Sequence, residues 1–269
     1  MKSKTLASLA VLLGLVALPA FAQAPNAPHS PLTASTMAPF TRITKGANDA
    51  DVPGAAKEIA NWAGYAVTGI DFSEVQGSWV VPKYHCVQTP NSNSAVFAGI
   101  DGYPSTNATM EVIGTASNCV SGKSQYFAWY TLGRAIVEIG GFPVKSGDLI
   151  SASVTYKNGE FFVSISDLTQ VWTYSTGAAV SGAKRSSAEW IVARNASLPP
   201  LMDFGKVNSG YDYTSVLDSD WATDSTLTGP IGVFGSIVKI NMVYGGVTLA
   251  TPTALTTDRS SFTVNWKHE

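Results

Sequence analysis

From about residue 61 to the C-terminus, apolar and polar positions exchange every second residue in short runs, separated by Gly, Pro, Asn, Asp and Ser. Ser151-Ala152-Ser153-Val154-Thr155-Tyr156 shows the pattern well. This is the period of a strand with one face buried. Comparable runs predict strands at 77–81, 95–100, 109–114, 125–132, 149–156, 160–166, 171–174, 188–193, 237–243 and 261–266. Between two of them, Lys157-Asn158-Gly159-Glu160 predicts a two-residue hairpin, because Asn and Gly accept the positive φ of a type I′ turn. Residues 55–60 suggest one helical turn, and no internal repeat is visible. Roughly a dozen short strands without helical periodicity predict an all-β sandwich of two antiparallel sheets, a lectin-like jelly roll.

The N-terminal pattern is different. Lys2 and Lys4 precede an apolar run from Leu6 to Leu18 that only Ser8 and Gly14 interrupt, and Ala20-Phe21-Ala22 supplies a small-x-small site. The expectation is a signal peptide at 1–22, cut after Ala22, and a secreted product, extracellular or periplasmic, with no membrane attachment afterwards. Residues 23–57 are rich in Ala, Pro, Ser, Thr and Asn and sustain no helix or strand period. They read as a linker or short pro-segment. Residues 58–269 form the expected folded domain.

Composition narrows the function classes. Charged residues make up 13% of the chain and the formal net charge is -2, so nothing favours nucleic acid as a partner. A sparsely charged fold loses few ion pairs in acid. Export favours a disulfide between Cys86 and Cys119. His85 adjoins Cys86, but two ligands without a second pair do not make a zinc site. No metal or cofactor is expected, and a monomer is.

The usual catalytic constellations are missing. With only His29, His85 and His268 available, a Ser-His-Asp triad is not indicated. Asp101, Glu111 and Glu189 are acids embedded in strand-like segments, where a charge is costly unless it is paired or lines a cleft.

Several blocks nevertheless resemble a known family. They are Asn61-Trp62-Ala63-Gly64-Tyr65, Gly77-Ser78-Trp79-Val80-Val81-Pro82, Gly99-Ile100-Asp101-Gly102-Tyr103 and Ile113-Gly114-Thr115. Phe127-Ala128-Trp129-Tyr130, Gly147-Asp148 and Ala188-Glu189-Trp190-Ile191-Val192 follow in order. Together they resemble the glutamic peptidases of the eqolisin type, formerly peptidase family A4. That resemblance implies two long, bent antiparallel sheets, with a Gln and a Glu on a concave face hydrolysing peptide bonds at acid pH. The Glu serves as general base and then acid, and the Gln amide orients the water and stabilises the oxyanion.

Carried over residue by residue, the resemblance puts Val112 at the Gln position, in Glu111-Val112-Ile113-Gly114-Thr115. It puts Ala193 at the Glu position, in Ala188-Glu189-Trp190-Ile191-Val192-Ala193. Phe97 stands for a Trp, and Thr131 for an acid, of the same cleft. No catalytic pair is therefore expected to be intact. Glu111 adjoins Val112 and should face the other side of its strand. Glu189 shares parity with Ala193 but lies four positions away, about 13 Å along a strand. Asp101 remains as an acid near the cleft. The expectation is an inactive or strongly impaired peptidase homologue that binds peptide or unfolded protein, with Trp62, Phe97, Asp101 and Glu189 as cleft candidates. The alternatives are an acid endopeptidase using displaced acids such as Glu189 or Asp101, and a lectin-like binding module.

Overall fold

The computed structural model describes residues 56–104, 106–197 and 199–268. The expected signal peptide, and the expected linker up to residue 55, lie outside the described residues. The chain begins with β1 (Lys57–Ile59), β2 (Trp62–Thr68), β3 (Glu74–Val80), β4 (Asn93–Ile100), β5 (Met110–Val120) and β6 (Lys123–Gly133). It continues through β7 (Ile136–Ile139), β8 (Leu149–Lys157), β9 (Glu160–Asp167), β10 (Trp172–Ala178) and β11 (Ser187–Ala193). The remainder is β12 (Lys206–Gly210), the single helical turn α1 (Tyr211–Thr214), β13 (Trp221–Thr223), β14 (Thr228–Pro230), β15 (Ile237–Tyr244), β16 (Val247–Pro252) and β17 (Ser261–Trp266).

Each predicted run coincides with a strand, with residues 81, 109 and 171 falling one position outside, and burial follows the period of two where one face meets water. Along β8, Ile150, Ala152 and Val154 are buried while Ser151, Ser153 and Thr155 are only partly so. The 157–160 turn forms as expected, with Asn158 at φ 56° and Gly159 at φ 88°. Of the expected helical turn at 55–60, the described residues 56–60 form none. Lys57–Ile59 instead pairs in parallel with β15, Ile59 level with Met242. Backbone groups at the sheet margin gain ladder partners there, which one isolated helical turn could not supply.

Hydrogen-bond pairing separates the strands into two layers. One runs β7-β6-β5-β4-β11-β2-β15-β1, the other β10-β9-β8-β3-β12-β17-β16, with β13 and β14 extending from β3. The layers join where β15 pairs with β16, across an irregularity between Met242 and Val243. A core of Ala98, Ile113, Ala128 and Trp190 from the first layer meets Trp79, Ile150, Val163 and Phe262 from the second. Two indole N–H groups tie the layers together. Trp79 Nε1 donates to Thr115 Oγ1 at 2.9 Å, and Trp190 Nε1 to the Gln76 carbonyl at 2.7 Å.

Cys86 and Cys119 are bonded, with Cα atoms 5.4 Å apart and a sequence separation of 33. His85 Nδ1 lies 3.1 Å from Asp203 Oδ2. Among the described residues no cluster of acids, His and Cys could hold a metal ion, and no helix is long and apolar enough to cross a membrane. Closing a loop of this length stabilises a fold by roughly 3–4 kcal/mol in the chain-entropy picture. The Cys86→Ala, Cys119→Ala variant should therefore lose about that much in a denaturant titration. A loss below 1 kcal/mol would mean that the bridge constrains little.

Candidate functional site

The first layer has a second buried face, turned away from the inter-sheet core. Register alone organises it into three rows across β6, β5, β4, β11 and β2. The first row is Phe127, Ala116, Ala95, Ala193 and Trp62. The second is Trp129, Gly114, Phe97, Ile191 and Gly64, and the third is Thr131, Val112, Gly99, Glu189 and Ala66. Laterally paired residues share a face, so every side chain in these rows emerges on the same side.

Large and small residues interlock here. Phe97 packs edge-on against Trp62 at 5.4 Å and against Trp129 at 5.7 Å between ring centroids. Gly114 makes room for Phe97, since a Cβ there would lie 2.7 Å from the Phe97 Cβ. Gly99 does the same for Val112, whose Cγ1 would lie 2.1 Å from an added Cβ. Val112 and Ala193, the two positions expected to match a catalytic pair, are both 0% exposed and belong to one apolar cluster. They lie two strands apart and four residues offset along β4, so two short apolar side chains cannot act on one atom.

The acids divide around this face. Glu111 is level with Ile100 and Ala188, both in the inter-sheet core, so it points away from Val112. Burial, reinforced by the charge of Asp101, pushes its carboxyl from the usual 4.5 up to about 8. Thr109 eases that shift, but neither carboxyl oxygen reaches full hydrogen-bond geometry. Glu189 lies in the third row, across Gly99 from Val112. Its Oε1 accepts the Tyr103 N–H at 3.1 Å while Oε2 is buried without a partner. Burial holds it well above the usual carboxyl range, and the charges of Asp101 and Glu111 add to that.

Asp101 is occupied in another way. Its Oδ2 accepts the Lys184 and Arg185 N–H groups, each at 2.7 Å. Its Oδ1 accepts the Ser186 N–H at 2.9 Å and Asn107 Nδ2 at 3.0 Å. The carboxylate thus fastens the segment entering β11 to the turn leaving β4, where Asp101 itself sits at φ 64°. It is a structural clamp.

A family model described as the peptidase A4 family matches residues 60–264. The chain belongs to the peptidase A4 family. Among solved structures, this family member is similar to scytalido-glutamic peptidase with a transition state analog inhibitor, at 17% identity and a TM-score of 0.63 over 77% of this chain and 98% of that one. It is similar also to SCP-B, an eqolisin bound to the tripeptide Ala-Ile-His, at 18% identity and a TM-score of 0.61, with the same coverage. Aspergilloglutamic peptidase from Aspergillus niger aligns at 21% identity and a TM-score of 0.53, over 65% of this chain and 99% of that one. At these identities the likeness establishes the shared fold. No curated protein matches the sequence.

In this peptidase A4 member, the face brings together Trp62, Phe97, Val112, Thr131, Glu189 and Ala193, all singled out in the sequence. It leaves Asp101 and Glu111 outside. What sequence reading missed is that Glu189 is level with Val112. Its offset from Ala193 along β11 is legible, but the register between strands is not.

Two predictions follow from the acids. Asp220 resembles Glu111: burial raises it from 3.8 to about 8, against hydrogen bonds from Ser209 Oγ and the Ser78 N–H. An acid whose folded pKa exceeds its unfolded one binds more protons when folded. Its contribution is complete below the unfolded pKa near 4 and is lost as pH rises through the folded value near 8. Thermal midpoints should therefore be highest near pH 4 and fall between pH 5 and 8, by an amount worth several kcal/mol at about 1.4 kcal/mol per pH unit and group. Glu111→Gln should flatten the fall; midpoints that climb from pH 4 to 8 would contradict it. Separately, Asp101→Ala removes one acceptor from three backbone donors and should cost roughly 3 kcal/mol or more in chemical denaturation.

Proposed function

We propose that this chain is an exported peptidase A4 homologue that no longer hydrolyses peptide bonds and instead holds peptide chains on the face carrying Val112 and Ala193. The observation that carries this reading is the burial of both side chains in an apolar cluster whose first two rows contain no ionisable group. Export is supported by the basic and apolar start of the sequence and by the Cys86–Cys119 bond. Peptide as ligand is supported by the fold shared with an eqolisin that was solved with a tripeptide.

The chemistry is what Val and Ala lack. Only an ionisable group can take a proton from water and return it to a leaving amine, a contribution of about 10²–10⁴-fold. An oxyanion donor adds about 10²–10³-fold. Neither side chain supplies either.

Glu189 favours one other reading, an acid endopeptidase using a displaced carboxyl, because it shares the row of Val112. A carboxyl held protonated by burial can donate a proton but cannot serve as general base in the acid range. The charge of Asp101 is committed to four N–H donors and is not free for that role.

Incubation of purified protein with acid-unfolded casein from pH 2 to 6 separates the two. The expected outcome is bound casein without new amino termini. Steady cleavage that disappears in Glu189→Gln would reject the inactive reading and assign the reaction to that residue.

A further inference from the structure

The second layer turns its outer face away from the layer that carries Val112 and Ala193. Register sets two rows there across β13, β3, β8, β9 and β10. One is Trp221, Gln76, Ser153, Ser164 and Ser175. The other is Thr223, Glu74, Thr155, Phe162 and Gly177. Every member is half-buried or exposed, and Glu74 is the only ionisable one.

At the β13 end of these rows lies a cavity of about 190 Å³, lined by Glu74, Gln76, Asp218, Trp221, Thr223 and Thr228 together with Ala222. Gln76 Nε2 donates to Glu74 Oε1 at 2.8 Å, which turns the amide oxygen of Gln76 and the second oxygen of Glu74 to the cavity as acceptors. Among the described residues, no hydrogen bond engages the Asp218 carboxyl or Trp221 Nε1. The loop entering β13 is held in place. Asp218 and Asp220 both sit at φ 55°, and the Asp220 carboxyl accepts the Ser78 N–H at 3.2 Å and Ser209 Oγ at 2.8 Å.

We propose that this cavity is a binding subsite for a neutral oligosaccharide, with one sugar ring stacked on Trp221 and the chain continuing over the hydroxyl rows toward Phe162.

The balance of donors and acceptors selects the ligand class. Carboxylates and an amide oxygen only accept, so the ligand must bring several donors. Glu74 and Asp218 repel an anion. A pyranose carries uncharged hydroxyls around its rim and a C–H face that fits an indole, and the Trp221 N–H is left to mark one edge of it. A basic peptide would also donate. Beyond the cavity, however, it would meet Ser153, Thr155, Ser164 and Ser175 and no further acid of the two rows. Hydroxyls donate and accept alike, so they serve a polyhydroxyl chain along its whole length. Phe162 supplies a second ring. It is 43% exposed and stands three strands from Thr223, about 14 Å away. It leans over Gly177, where an added Cβ would lie 2.5 Å from its Cδ1.

Isothermal titration of the full chain with cellohexaose, xylohexaose and maltohexaose tests this. At least one should bind with a Kd of about 10⁻⁴ M, and Trp221→Ala should weaken that binding at least about tenfold. Asp218→Asn alters an exposed side chain, so it keeps the fold, and it should weaken binding about fivefold. Casein capture should be the same in both variants, because it is assigned to the other layer. The proposal is overturned if none of the three sugars binds at millimolar concentration, or if both variants bind as the parent does. Binding of hexalysine that Asp218→Asn abolishes, with no sugar bound, would reassign the cavity to cationic peptides.

Discussion

Strand β4 is held on both edges, by β5 and by β11, and its register with each decides what the candidate site contains. Gly99 falls between Val112 and Glu189, Phe97 between Gly114 and Ile191, and Ala95 between Ala116 and Ala193. A slip of one residue would send Phe97 into the inter-sheet core and Ala98 out of it, so the burial of both faces fixes the pairing. The aromatic strip, the glycine gaps and the isolation of Glu111 from Val112 all follow from that one alignment.

Much of this was legible in the chain, and the failures have physical causes. Strands with one wet face, such as β8 and β9, announce themselves by alternation. β2 was not picked out, because Trp62 to Val67 is buried on both faces and shows no period. The side assignment of Glu111 needed only the parity of neighbouring residues. The neighbourhood of Glu189 needed the register across β4, a tertiary property. Asp101 stood out in sequence as an unexplained acid in an apolar run. Its three backbone donors come from residues 184–186, more than eighty positions away, and no local pattern could reveal them.

The two layers carry their polar groups differently. The outward positions of β8, β9 and β10 hold hydroxyls such as Ser153, Ser164 and Ser175, the last two hydrogen-bonded at 2.8 Å. Three acids lie inside instead. Glu111, Glu189 and Asp220 are each 0% exposed and favour the neutral form. Three buried carboxyls that favour the neutral form, and an outer face covered with hydroxyls, keep their contributions when protons are abundant. The low charge of the sequence thus has a structural counterpart.

The first row has a consequence of a different kind. Ala116, Ala95 and Ala193 stand side by side between Phe127 and Trp62, a small-residue trough bounded by two rings. A carboxylate introduced at Ala193 alone would enter a buried site among apolar neighbours, and would stay neutral or strain the packing. Polar function cannot enter such a site one substitution at a time, because each single step is penalised before its partner arrives.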